Sequence, residues 1–429
     1  MSTTINQQQA DRISTRKTIV GTGIGNAVEW YDWAIYATFT PFIASQLFSK
    51  ADPASAVLST LAIFAVGFVA RPFGGFVFGW IGDRVGRKAS MTLAVGLASL
   101  GSLMIGIAPT FAAVGAWASL MLLVARLVQG LAHGGELPSS QTYLSEMAPK
   151  EHRGFWATLI YTSGTVGILF GTLLGAVLNM ALSTEVMNAW GWRIPFLIGA
   201  AMGLYALIMR ARLHETDVFE GETVTEKRAP IWPQIVQHRK QALQVIGLTV
   251  GLTVIYYIWG VVAPSYATTA LKIDRGEALW AGVIGNIVFI AALPFWGKLS
   301  DKIGRKKVLW SGAIGSAVMH FPMTWLLKDS AWQLAVGMSV MLIFIAASAA
   351  IVPAVYAELF PTSIRTVGVG VPYSICVALF GGTAPYLQQW LGTTLRMPDL
   401  FNVYAVVLLA VSAAFVFTLP ETKGKDLAH

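Results

Sequence analysis

The chain has 429 residues, of which 55% are hydrophobic and only 12% charged, with a net charge of +8. Soluble domains carry about 25% charged residues, so this deficit points to a membrane solvent. The basic residues sit in short clusters between apolar runs, which fits membrane orientation better than nucleic-acid binding. One cysteine, Cys376, excludes a disulfide framework, and no Cys/His metal cluster is present.

The first 17 residues are polar and are expected to form a cytoplasmic tail rather than a cleaved signal. A hydrocarbon core about 30 Å thick needs roughly 20 apolar residues per helix. That ruler gives six spans at 18–45, 55–82, 89–109, 114–139, 154–180 and 190–211. After a polar interval at 212–240, six more follow at 241–269, 277–299, 307–327, 331–357, 366–391 and 400–419, then a tail at 420–429. The expected fold is an all-α membrane protein of twelve helices in two six-helix halves, 18–211 and 241–419.

Two polar stretches repeat across the halves. Gly82-Asp83-Arg84-Val85-Gly86-Arg87-Lys88 returns 218 positions later as Ser300-Asp301-Lys302-Ile303-Gly304-Arg305-Lys306. Glu146, Pro149 and Arg153 return 212 positions later as Glu358, Pro361 and Arg365. Polar motifs that repeat at nearly the same offset in an apolar chain indicate a duplicated bundle. Of 30 Lys and Arg residues, 22 fall on the side of these turns, six on the other, and Arg71 and Arg126 inside spans. The positive-inside rule then places both termini in the cytoplasm.

These residues resemble the major facilitator superfamily: the Gly-Asp-Arg-Val-Gly-Arg-Lys turn, its degenerate copy, and Arg126-Leu127-Val128-Gln129-Gly130 in the fourth span. Finer matches are Gly25-Asn26-Ala27-Val28-Glu29-Trp30-Tyr31-Asp32, Arg71-Pro72-Phe73-Gly74-Gly75, Gly134-Gly135-Glu136 and Trp190-Gly191-Trp192-Arg193-Ile194-Pro195-Phe196. They are similar to the metabolite:proton symporters, which include α-ketoglutarate, citrate, shikimate and proline/betaine permeases. The closing Pro420-Glu421-Thr422-Lys423-Gly424 also resembles the ending of sugar porters. The resemblance implies a monomeric secondary transporter in a bacterial inner membrane, driven by a proton gradient and needing no cofactor. Its partners would be a small organic anion, protons and lipid.

Intramembrane charges are costly and default to function. Glu29 and Asp32 lie three apart on one face of the first span, with Asn26 and Tyr36 extending the stripe. Arg71 in the second span and Arg126 in the fourth reach a similar depth, about 16–22 Å from the cytoplasmic end. Arg126, Gln129, His133 and Glu136 share one face. In the second half the corresponding positions are Gly247, Val250, Phe289 and Met338, so these charges are not part of the repeat. The first half is therefore read as the ionic half and the second as an aromatic and amide wall that includes Tyr256, Tyr257, Asn286 and Tyr373.

In this reading Arg71 and Arg126 hold an anion, with Gln129, Tyr36, Asn26, Tyr257, Asn286 and Tyr373 as further contacts. Asp32, Glu29 and His133 exchange the proton, because an anion that occupies an Arg frees its carboxylate to protonate. The alternative is that Glu29 or Asp32 permanently pairs with an Arg to hold the spans together. Asp83, Arg84, Arg87, Lys88, Asp301, Arg305, Glu136, Glu146, Arg153, Glu358 and Arg365 are read as gating or scaffold residues. No phosphate-binding Gly-x-x-x-x-Gly-Lys-Ser/Thr, no nucleophile elbow and no deep lysine occur, so a pump, an enzyme or a retinal protein is not expected. An osmolyte carrier for proline or betaine, a sugar porter and a non-transporting sensor remain as alternatives.

Overall fold

The computed structural model describes the backbone of residues 2–84, 87–134, 141, 144–145, 148–211, 236–361 and 365–427, with side chains except at 2–22, 79–80, 82–84, 87–91, 209–211 and 366–367. The expectations for Glu136 and Glu146, and for the side chains of Asp83, Arg84, Arg87 and Lys88, lie outside the described residues.

The described chain is built of helices. In the first half these are α1 (Ser2–Leu47), α2 (Pro53–Arg84), α3 (Arg87–Gly106), α4 (Trp117–His133), α5 (Arg153–Ala181) and α6 (Ile194–Ala211). In the second they are α7 (Arg239–Ala270), α8 (Arg275–Ile303), α9 (Arg305–Leu326) and α10 (Ala331–Leu359). Then come α11, which opens at Arg365–Cys376 and ends with a π turn at Trp390–Thr394, and α12 (Pro398–Thr418). Among the described residues, eight helices are long and apolar enough to cross a membrane. Helix α1 differs from the expected boundary, since it continues back to Ser2 through the polar segment.

Proline lies inside several of these helices, at Pro41, Pro72, Pro294, Pro322, Pro353 and Pro372. Neighbouring helices can satisfy the backbone groups that proline frees. In α7 the ladder changes to a π turn at Tyr257–Val262, just before Pro264. That turn begins with Tyr257, one of the rings at the molecular centre, directly after Tyr256.

One packing pattern is used twice. In the first half α2 and α3 pack on α4, α3 on α6, and α1 on α5. In the second half α8 and α9 pack on α10, α9 on α12, and α7 on α11. The halves meet along α5 with α8 and α10, and along α2 with α11. Small residues allow the close approaches. A Cβ added to Gly134 would stand 2.0 Å from the Arg71 carbonyl oxygen, and one on Gly130 would stand 2.0 Å from that of Gly67. The α2–α4 contact that fixes the depth of both buried arginines thus depends on glycine.

Candidate functional site

Helix α1 delivers the acids. Glu29 and Asp32 are each 2% exposed. Arg71 Nη2 donates to Glu29 Oε1 at 2.7 Å, closing a buried ion pair between α1 and α2. The Arg71 guanidinium also lies 4.6 Å from the Trp33 ring centre and 4.8 Å from that of Phe68.

Arg126, fully buried, is held differently. Its guanidinium stacks on Trp33 at 4.0 Å and Tyr36 at 4.4 Å, and Nη1 donates to Gln129 Oε1 at 2.7 Å. Its Nε and Nη2 have no hydrogen-bond partner among the described residues. Asp32 accepts a hydrogen bond from Ser102 Oγ at 2.9 Å, and its second oxygen lies 3.9 Å from His133 Nε2. Gly199 makes room there, since a Cβ at that position would stand 2.9 Å from Asp32 Oδ1. Trp33, touched by both guanidiniums, separates two arrangements: a paired Glu29–Arg71, and an Asp32 and an Arg126 that are not in direct contact.

The second half supplies four rings of the aromatic wall and the first half two. Trp30, Tyr161, Tyr256, Tyr257, Tyr356 and Tyr373 surround a central cavity of about 10 Å³. Trp30 stacks on Tyr257 at 6.1 Å and meets Tyr256 edge-on at 5.5 Å, so the rings of the two halves touch. A space of this size holds about one water. It is too small for an organic solute.

Of the expected contacts, Tyr257 and Tyr373 line this cavity; Arg71, Arg126, Gln129, Asn26, Tyr36 and Asn286 do not. The donor groups of Asn26, Tyr36 and Asn286 are engaged elsewhere. Asn26 Nδ2 donates to the Ile160 carbonyl and Ser163 Oγ on α5, and the Tyr36 hydroxyl donates to the Thr60 carbonyl on α2. Asn286 Nδ2 bonds the Gly282 carbonyl one turn back in α8. The cavity lining is aromatic apart from Thr249, Leu252 and Thr253. Ser102 was missed in the sequence, where one of three serines in an apolar helix gives no signal.

The polar repeat turns build a latch between the halves. Asp301 accepts from the Gly154 and Phe155 backbone N–H groups at the start of α5, and from Arg305 at 2.7 Å. A carboxylate at a helix N-terminus is favourably placed against the dipole. Glu358, fully buried, accepts from Arg153 at 3.0 Å, Arg305 at 3.3 Å and Thr422 at 2.6 Å. Arg365 is buried beside them and holds the Ala357 and Leu427 carbonyls. At the other end the Arg275 guanidinium lies 3.9 Å from the centre of the Phe42 ring across the same boundary. Contacts between the halves are thus present at both ends of the boundary among the described residues.

Comparison with known proteins agrees with this architecture. The sugar (and other) transporter family matches residues 18–229 and 220–429, the whole chain from the first span onward. The α-ketoglutarate permease of Escherichia coli K12 is 34% identical over 411 residues, covering 95% of this chain and 94% of the relative. A putative proline/betaine transporter of Staphylococcus haemolyticus is 34% identical over 427 residues, covering 97% and 90%. Among solved structures, a D-xylose–proton symporter superposes with a TM-score of 0.74 at 20% identity, covering 96% of this chain and 99% of that one. The E. coli xylose transporter in a partially occluded inward-open conformation gives 0.70 at 19%, covering 95% and 98%. With its duplicated helical halves, buried ionic centre and relatives that are carriers rather than enzymes, the chain belongs to the sugar (and other) transporter family of the major facilitator superfamily and is a multi-pass transporter of the bacterial inner membrane.

Proposed function

We propose that this protein takes up a small organic anion, a carboxylate, together with protons by alternating access. In that reading all twelve long helical segments cross the membrane of a monomer, and both termini and the latch face the cytoplasm. The two halves rock about the aromatic centre.

The observation that carries the reading is the charge balance of the buried centre. Glu29, Asp32, Arg71 and Arg126 cancel, and each is at most 4% exposed. A net charge in a low-dielectric interior is expensive. An entering carboxylate therefore calls for a proton, and the acids to receive it are already in place. The anion competes with Glu29 for Arg71, or takes the unpartnered donors of Arg126, while Glu29 or Asp32 takes the proton. His133 lies beside Asp32 as the group that passes it on. The name of the α-ketoglutarate permease lies within this chemistry.

A second reading rests on a specific feature: the ring of six aromatic residues. It suits a quaternary ammonium by cation–π attraction, as in a betaine. A zwitterion, however, brings no net charge and leaves the proton unexplained. A sugar porter would leave the four charges unexplained as well.

The test is uptake into proteoliposomes of a labelled panel: dicarboxylates, keto acids, citrate, shikimate, proline, betaine and hexoses, with and without an inward proton gradient. Gradient-dependent accumulation of a carboxylate supports the proposal. Accumulation of a zwitterion or hexose in its place overturns it.

A further inference from the structure

The acid and the arginine that do not touch are connected by three hydrogen bonds in series. Arg126 Nη1 donates to Gln129 Oε1 at 2.7 Å, Gln129 Nε2 donates to Ser102 Oγ at 2.9 Å, and Ser102 Oγ donates to Asp32 Oδ1 at 2.9 Å. All four residues are at most 2% exposed, so bulk water does not compete with these bonds.

The direction of the series is fixed by chemistry. A guanidinium has no acceptor, so the Gln129 carbonyl must face Arg126 and its NH₂ must face Ser102. The serine hydroxyl has one proton. With its oxygen accepting from Gln129, that proton goes to Asp32. Oδ1 of Asp32 is then held as an acceptor. A proton arriving there would confront the Ser102 proton, and Ser102 could not turn it toward an NH₂ group. The other oxygen, Oδ2, faces His133 Nε2 at 3.9 Å and is free of this restriction.

We propose that Ser102 and Gln129 are positioning residues that tie protonation of Asp32 at Oδ1 to the occupancy of Arg126. The series keeps Oδ1 an acceptor while Arg126 holds Gln129. When an anion takes the guanidinium, the Gln129 amide is released to turn its carbonyl toward Ser102. Ser102 then donates to Gln129 and accepts from a proton on Oδ1. The inference rests on the proton-coupled reading above and adds to it the route by which the two sites communicate. The other groups facing Asp32 are Tyr31 on α1, and Arg126 and His133 on α4; α3 brings Ser102 and α6 brings Gly199, which carries no charge.

The test is an infrared pH titration of the full-length protein in liposomes, following the protonated carboxyl C=O stretch. The band lost in Asp32→Asn belongs to Asp32. Two isosteric variants, Ser102→Thr and Ser102→Val, keep or remove the hydroxyl, with Ser102→Ala as a smaller control. A hydrogen bond to an ionised group is worth enough that its loss should bring the band in about one pH unit higher in Ser102→Val and Ser102→Ala. Ser102→Thr should match the wild type. Equal midpoints in the Thr and Val variants overturn the inference and leave the proton role of Asp32 intact. If no Asp32-dependent band titrates in the wild type, the proton role fails, and the inference fails with it.

Discussion

Arg71 Nη2 and Glu29 Oε1 meet at 2.7 Å in a site where both side chains are at most 5% exposed. This pair joins α1 to α2 beside the aromatic centre, and it is held apart from Arg126 by the Trp33 ring that both guanidiniums touch. Removing one partner of a buried pair leaves an uncompensated charge, which costs about 3–5 kcal/mol, whereas removing both often costs little. Glu29→Gln should therefore lower the melting temperature of the detergent-solubilised protein more than the double variant Glu29→Gln/Arg71→Gln does. Equal losses in the two would show that the pair does not bear on stability.

The latch gives a second expectation. Glu358 accepts from Arg153 on one half and from Arg305 and Thr422 on the other, so Glu358→Gln weakens closure at that end. Ser145 is a suitable reporter because its hydroxyl bonds to the Pro353 carbonyl across the boundary and it is 1% exposed. In a Cys376→Ala background, Ser145→Cys should react with a hydrophilic maleimide on the order of tenfold faster when Glu358→Gln is added, matching the loss of about 1.4 kcal/mol from a charged hydrogen bond. An unchanged rate would separate Glu358 from closure.

At the opposite end the boundary is bridged by a cation over a ring. Arg275 lies above Phe42, and such contacts contribute about 0.5–2 kcal/mol. Phe42→Leu keeps the apolar bulk and removes the ring. It should raise the reactivity of a cysteine placed at Ile43, which is fully buried, by roughly threefold or more. The latch reporter should not respond in the same direction.

The closing segment carries a pH-dependent contact. Burial alone would raise the Glu421 carboxyl, but the backbone N–H groups of Arg305, Lys423 and Lys306 and the Arg305 charge outweigh it and hold it below the usual range. A carboxylate lowered in the folded state stabilises above its unfolded value and loses that contribution as pH falls through the lowered one. Attachment of the tail to the start of α9 should therefore be intact at neutral pH and lost only on strong acidification. Protease protection of the tail followed against pH measures this. Glu421→Gln should remove the acid-side transition.

Much of the architecture was legible in the sequence, because apolar span length and a repeated polar turn are set by the bilayer and by duplication rather than by tertiary detail. The pairing of Arg305 with Asp301 and of Arg153 with Glu358 links residues that the repeat had already marked. What could not be read was orientation about each helix axis. Asn26 and Asn286 are polar residues in spans, yet both bond backbone carbonyls away from the cavity. Ser102 was invisible for the converse reason: a hydroxyl acquires meaning only from what α1 and α4 place beside it. The division of four buried charges into one pair and one relay depends on Trp33, whose position no spacing rule gives.

The most direct test of the account is proton-gradient-driven uptake by Asp32→Asn, compared with its exchange of labelled for unlabelled substrate across liposomes at equal pH. Asparagine keeps an oxygen to accept from Ser102 and cannot take a proton. The account predicts that uphill accumulation is abolished while exchange persists. Uphill accumulation at the wild-type level would contradict it.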